Sequence, residues 1–182
     1  MSHPLQYILL AMAVVLAAAG CSEQKEIPRT TLEKFGRQKA PDQISRDVEV
    51  FFVDSSYTKA RLTANVARIY QEEKKTYLDG QVKVEFLSAE TKQRTTLMSC
   101  DSAEIDDRTK NMLAKGNVLV WSDSSRTKLE TSVLHWDNKT QLFYSTEFVT
   151  IDSPEEKIQG YGFESDQNLK YYRIFKVSGE QK

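Results

Sequence analysis

Apolar and polar positions alternate along most of this chain, and the alternation itself repeats. Twelve positions on from Tyr70, Asp106 and Asp137 stand Val82, Val118 and Val149, and two further on Val84, Val120 and Ile151. One position before each starting point are Ile69, Ile105 and Trp136, and two before those Ala67, Ala103 and Leu134. Gly80 and Gly116 share an offset that Glu147 occupies in the third copy. A fourth, partial copy runs from Ile158 through Phe163 to Asp166. The copies open at Leu62, Met98, Leu129 and Ile158, roughly thirty to thirty-six residues apart, a spacing at which supersecondary units repeat. Side chains alternate across a sheet, so matching offsets of two place each set on one face of a strand. The pattern predicts an all-β domain built from a repeated antiparallel hairpin unit.

Polar breaks separate the apolar runs. Val48, Val50, Phe51, Phe52 and Val53 form the first run, which Asp54-Ser55-Ser56 ends. The segment Asp54-Ser55-Ser56-Tyr57-Thr58-Lys59 is echoed by Asp123-Ser124-Ser125-Arg126-Thr127-Lys128, and each precedes a strand opening on leucine, Leu62 or Leu129. Short side chains that hydrogen-bond their own backbone favour such turns. Further breaks fall at Gln71 to Lys75, Ser88 to Gln93, Asp106 to Asn111, Asp137 to Thr140 and Asp152 to Lys157. The last run holds Tyr171, Tyr172, Ile174, Phe175 and Val177. No helical period is sustained from Ile44 onward. Regularly spaced short strands read as a sandwich, a barrel or a jelly roll.

The amino terminus differs. Ile8 to Ala19 is an apolar run of about a dozen residues, too short to cross a bilayer and suited to a signal-peptide core. It ends in Ala18-Ala19-Gly20-Cys21, followed at once by Ser22, Glu23, Gln24, Lys25 and Glu26. Small residues before a cysteine resemble the lipobox of bacterial lipoproteins, which implies cleavage before Cys21 and acylation of that cysteine. Two or three acyl chains anchor a protein stably, each buried methylene contributing about 0.8 kcal/mol. The expected organisation is a signal at 1–20, a lipidated cysteine and tether at 21–43, and a β domain at 44–182. Ala18 stands where leucine is usual, and no Lys or Arg precedes Ile8. An ordinary secretory signal with an incidental Cys21 is the other reading.

Charge and chemistry narrow the function. The net charge of −1 is spread evenly with no basic stripe, which argues against a nucleic-acid partner. Cys100 aligns with Ala64, Thr131 and Gly160, so it is expected to be a small buried residue rather than half of a disulfide. His3 and His135 are the two histidines, too few for a metal cluster, and His135 is expected to face solvent. The acidic pairs Asp106-Asp107 and Glu72-Glu73 fall in predicted turns. Gly-rich phosphate loops and a Gly-x-Ser-x-Gly elbow are absent from the sequence. Neither an enzyme nor a bound cofactor is expected.

The scheme Leu62-x-Ala64, Ile69-Tyr70, Leu78-x-Gly80-x-Val82-x-Val84 resembles the repeat of the lipopolysaccharide-transport family that includes LptA and LptC. It returns as Met98-x-Cys100, Ile105-Asp106, Leu113, Gly116-x-Val118-x-Val120, and again as Leu129-x-Thr131, Trp136-Asp137, Val149-x-Ile151. Ile158-x-Gly160-x-Gly162-Phe163 resembles that family's final repeat. The opening Val48-Glu49-Val50 behind an anchor is similar to the LptC branch. The resemblance spans roughly Ile44 to Val177. It implies a β-jelly-roll open along one seam around a hydrophobic groove. It also implies receipt of lipopolysaccharide from the LptB, LptF and LptG transporter, and delivery to LptA.

In that scheme the lipid A acyl chains would meet Ala67, Ile69, Val82, Val84, Ala103, Ile105, Val118, Val120, Leu134, Trp136, Val149, Ile151 and Phe163. An unclosed roll leaves edge strands that can template another chain. The transporter is expected at the amino-terminal edge (Val48, Val50, Phe52) and LptA at the carboxy-terminal edge (Ile174, Val177). Lys170, Arg173 and Lys176 have two readings there, facing phosphate groups or, the favoured one, discouraging aggregation, since edge lysines are common protection. The expected location is the periplasmic face of the inner membrane, although Ser22 after Cys21 would favour the outer membrane under enterobacterial sorting rules. Two further classes stay open: a structural or adaptor lipoprotein with a filled interior, and a carrier of another lipid.

Overall fold

The computed structural model describes residues 40–54 and 57–181; the predicted signal, Cys21, nearly all of the tether and Ser55-Ser56 lie outside the described residues. Residues Pro41–Lys182 form one compact unit. Its described residues form nine strands: β1 (Gln43–Asp54), β2 (Tyr57–Tyr70), β3 (Lys75–Leu87), β4 (Arg94–Asp106), β5 (Met112–Ser122), β6 (Thr127–Asp137), β7 (Leu142–Asp152), β8 (Lys157–Asp166) and β9 (Tyr172–Gln181). Their order in the single sheet is their order in the chain, and each neighbouring pair is antiparallel. The repeat read from the sequence is thus a hairpin: β2–β3, β4–β5, β6–β7 and β8–β9. The sheet is open, as a jelly roll with a free seam requires, and β1 and β9 each have one unpaired edge.

Side chains close the turns. The Asp106 carboxylate accepts the backbone N–H groups of Arg108 at 3.0 Å and Thr109 at 2.9 Å, and Asp137 accepts those of Lys139 and Thr140 in the same way. Asp166 gathers Asn168, Lys170 and Tyr171. The first copy has Tyr70 at this position, and Asp42 supplies the missing carboxylate by accepting the Gln71 N–H at 2.8 Å. At the opposite turns the hydroxyls of Ser88, Ser122 and Ser153 accept backbone N–H groups. The predicted breaks are therefore built from the Asp and Ser chemistry that marked them.

Strands β2 to β8 bend in their middles. Buried positions run two apart within a half-strand, but the step widens to three at Ala64–Ala67, Cys100–Ala103 and Gly160–Phe163. It widens to four at Leu78–Val82, Ala114–Val118 and Ser145–Val149. The ladders from β2 to β8 shift register at the same places. Bulges bend a strand and increase its twist. Aligned across the sheet, they form a crease along which the buried face folds back on itself into two layers.

Two copies make the crease with left-handed backbone, at Gly80-Gln81 (φ 75° and 48°) and Gly116-Asn117 (φ 76° and 45°). Glycine adopts that conformation at little steric cost. The third copy, with Glu147, uses hydroxyls instead. Ser145 donates to the Val133 carbonyl at 2.7 Å and accepts the Glu147 N–H at 3.1 Å, while Thr131 donates to the Phe148 carbonyl at 2.9 Å.

Cross-strand rows fill the two layers. Leu62, Val84, Met98, Val120, Leu129, Ile151 and Ile158 are successive partners across β2 to β8. On the other side of the crease Ile69, Thr76, Ile105, Met112, Trp136 and Phe143 form a second row. The repeat positions noted in the sequence are the rungs of these rows. Opposed rungs such as these are the units that stabilise a sheet.

Candidate functional site

The interior between the layers is the principal candidate. Of the thirteen predicted groove residues, Ile69 is half-buried; Ala67, Val82, Val84, Ala103, Ile105, Val118, Val120, Leu134, Trp136, Val149, Ile151 and Phe163 are buried and belong to one hydrophobic cluster. Their burial follows from the two-residue period, and a lipid contact does not follow from burial alone.

The interior is filled by side chains rather than held open. Phe86, Trp136 and Phe143 form an aromatic wedge, with centroids 4.9 Å apart for Phe86–Trp136 and Trp136–Phe143 and 5.7 Å for Phe86–Phe143. Beside it lies a cavity of about 40 Å³ whose lining includes Phe52, Leu62, Val84, Ile105, Met112 and Trp136. A water takes about 30 Å³ of liquid volume, so the layers must part before a chain enters.

One end of the interior is plugged from the β8–β9 loop. Leu169 is fully buried, with φ 51°. The loop is tied across the layers by Thr96, whose hydroxyl donates to the Gln167 carbonyl at 2.9 Å, and by Ser125, which donates to the Asn168 carbonyl at 2.8 Å. Outside this plug an open groove of about 890 Å³ is lined by polar and charged groups, among them Glu156, Glu164, Asp166 and Arg173. Tyr172 lies in it and donates to Glu156 at 2.7 Å; burial and that carboxylate push its phenol up to about 12.

The two edges carry the predicted docking residues. Val48 and Phe52 on β1 and Ile174 on β9 are half-buried against the core. Val50 and Val177 are exposed, at 39% and 53%. Of the predicted edge cations, Arg173 pairs with Glu164 at 3.4 Å and lies over the Phe175 ring. Lys170 lies over the Tyr171 ring.

Single residues of interest resolve as follows. Cys100 is buried and free, and its thiol donates to the Ser102 carbonyl; desolvation pushes it up to about 11. His135 is half-buried on the outer face of β6, between buried Leu134 and Trp136. It stacks on its cross-strand partner Tyr144, rings 4.6 Å apart and 8° from parallel, and burial with nearby Lys115 lowers its pKa. Among the described residues no three His, Cys, Asp or Glu side chains are grouped to hold a metal ion.

Several core members were not among the predicted liners: Phe86, Met112, Phe143 and Leu169. Phe86 continues the two-residue period of Val82 and Val84 and could have been found that way. Leu169 lies in a turn, and no period points to it.

No curated protein matches the chain. Residues 7–176 match the family described as lipopolysaccharide-assembly, LptC-related, a transport-component family with a role in the cell envelope. The match covers the creased sheet, its hydrophobic interior and both edges as far as residue 176, and the chain belongs to the LptC-related lipopolysaccharide-assembly family.

Proposed function

We propose that the chain is a periplasmic, membrane-anchored relay. It takes lipopolysaccharide from the inner-membrane LptB, LptF and LptG transporter and passes it to LptA. The observation that supports this best is an apolar interior lying between two unpaired sheet edges. Each methylene of an acyl chain left in water costs about 0.8 kcal/mol, so a lipid with several chains needs continuous cover between membranes. The creased sheet supplies it when the layers part, and the predicted interior residues then meet acyl chains. Strand addition at β1 would receive the transporter, and at β9 would receive LptA. Cys21 would hold the domain at the inner membrane through its acyl chains.

The filled interior, with its cavity of about 40 Å³, favours a second reading. In that reading the chain is a structural or adaptor lipoprotein at the outer membrane; carriage of a different lipid is a variant of the first. Site-specific photocrosslinking from Ile105 and Trp136, with exposed Glu130 as control, separates them in cells making lipopolysaccharide. The relay gives adducts from the interior positions that vanish when transporter ATP hydrolysis is blocked. A well-folded protein with no interior adduct is the structural lipoprotein.

A further inference from the structure

The cavity beside the aromatic wedge is apolar inside and cationic at its rim. Lys59 enters β2 on one layer, and Lys110 closes the β4–β5 turn on the other; both line the cavity. Neither is ion-paired with any described residue, a state they share with several other cations of the domain. Lys59 reaches only the neutral Asn138 Oδ1, at 3.5 Å. Both ammonium groups thus border one apolar opening, and no described carboxylate pairs with either. A ligand with a phosphate head and hydrocarbon tails satisfies both features. The phosphate accepts from the two lysines, and a tail enters beside Phe52 and Trp136.

We infer that Lys59 and Lys110 form a phosphate-binding site at the mouth of the interior. The occupant is the phosphorylated glucosamine head of lipid A, whose acyl chain enters the cavity. This deepens the relay reading and rests on it. The mouth includes Phe52 of β1, so it lies at the edge proposed to receive the transporter. An anion bridging the two lips would also draw the layers together over an inserted chain.

The test uses the full chain carrying Trp121→Phe, which leaves Trp136 as the one tryptophan of the two and a reporter inside the cavity. Diphosphoryl lipid A and its enzymatically dephosphorylated form, with identical acyl chains, are titrated against Trp136 fluorescence. The expected result is about tenfold tighter binding of the phosphorylated lipid, which is about 1.4 kcal/mol. Lys59→Gln with Lys110→Gln should bring the ratio of the two affinities to about one, while the Arg pair should retain the preference. A preference that survives in the Gln pair overturns the site. Competition by phosphatidylglycerol at equal strength overturns lipid A as its occupant. Binding of neither lipid removes the relay reading itself, and the site with it.

Discussion

Phe86 of β3 and Trp136 of β6 touch with ring centroids 4.9 Å apart, although two strands of the sheet separate theirs. A flat sheet could not bring them together. Their contact is the pin that holds one layer on the other, and Phe143 completes it. Phe86→Ala should cost about 3–5 kcal/mol, the range for deleting a buried aromatic ring. Urea unfolding followed by far-UV circular dichroism would measure the cost. Trp136 emission, read in a Trp121→Phe background, should shift to the red. An unchanged midpoint would mean that the wedge does not join the layers.

Gly116 and Glu147 hold the same repeat offset but different backbone. Gly116 is left-handed, and a Cβ there would meet the Asp101 side chain. Gly116→Ala should therefore destabilise by about 1–2 kcal/mol. Glu147→Ala, at an exposed site whose bend is held by Ser145, should stay within about 0.5 kcal/mol of the parent. Paired thermal melts distinguish the two.

Ser145 is buried and satisfies the chain in both directions, donating to Val133 and accepting from Glu147. Ser145→Ala leaves a carbonyl and an N–H without that partner, at a cost of about 1–3 kcal/mol. Hydrogen exchange should show the Glu147 amide losing protection before amides elsewhere in β7.

Asp106 and Asp137 have carboxyl pKa values held below the ordinary 3.8, mainly by backbone N–H donors from Thr109 and Thr140. A carboxyl whose folded pKa is the lower one stabilises fully above its unfolded pKa, and that stabilisation fades as pH falls through the folded value. The double variant Asp106→Ala with Asp137→Ala should be less stable than the parent at pH 7. The gap should shrink below pH 3.8 and close in stronger acid. A gap independent of pH would mean that the carboxylates do not act through their charge.

The Cys100 thiol, buried and pushed up to about 11, should react negligibly with iodoacetamide at pH 8 while folded, and rapidly in urea. Mass spectrometry on a Cys21→Ser background reads this site alone. Fast labelling of the folded chain would contradict the burial.

Much of the fold was legible because alternation survives in each half-strand. Leu62, Met98, Leu129 and Ile158, picked out as repeat starts, prove to lie in one row. The crease was visible too, as the three-residue step from Ala64 to Ala67, but a step of three has no meaning until partners are known. Leu169 was illegible: its burial depends on a loop swinging across the layers, and the carbonyls that Thr96 and Ser125 hold there belong to residues far along the chain. His135 lies on the outer face, opposite buried Leu134 and Trp136, and the partial cover it has comes from Tyr144 on the neighbouring strand. Alternation marked the interior without showing that aromatic rings fill it.

Every strand in this sheet bonds only to the strand before it and the strand after it. The ladder can fray inward from either free edge until it meets the contacts that join the layers, Phe86 with Trp136 and the Leu169 loop with Thr96 and Ser125. Amides of β1 and β9 should accordingly exchange through small openings, and those of β4 to β6 only through larger ones. A hairpin gained or lost at a free edge would widen or narrow the sheet without changing the strand order of the rest. The width of the sheet is thus set by a count of repeats, a quantity that duplication can alter in a single step.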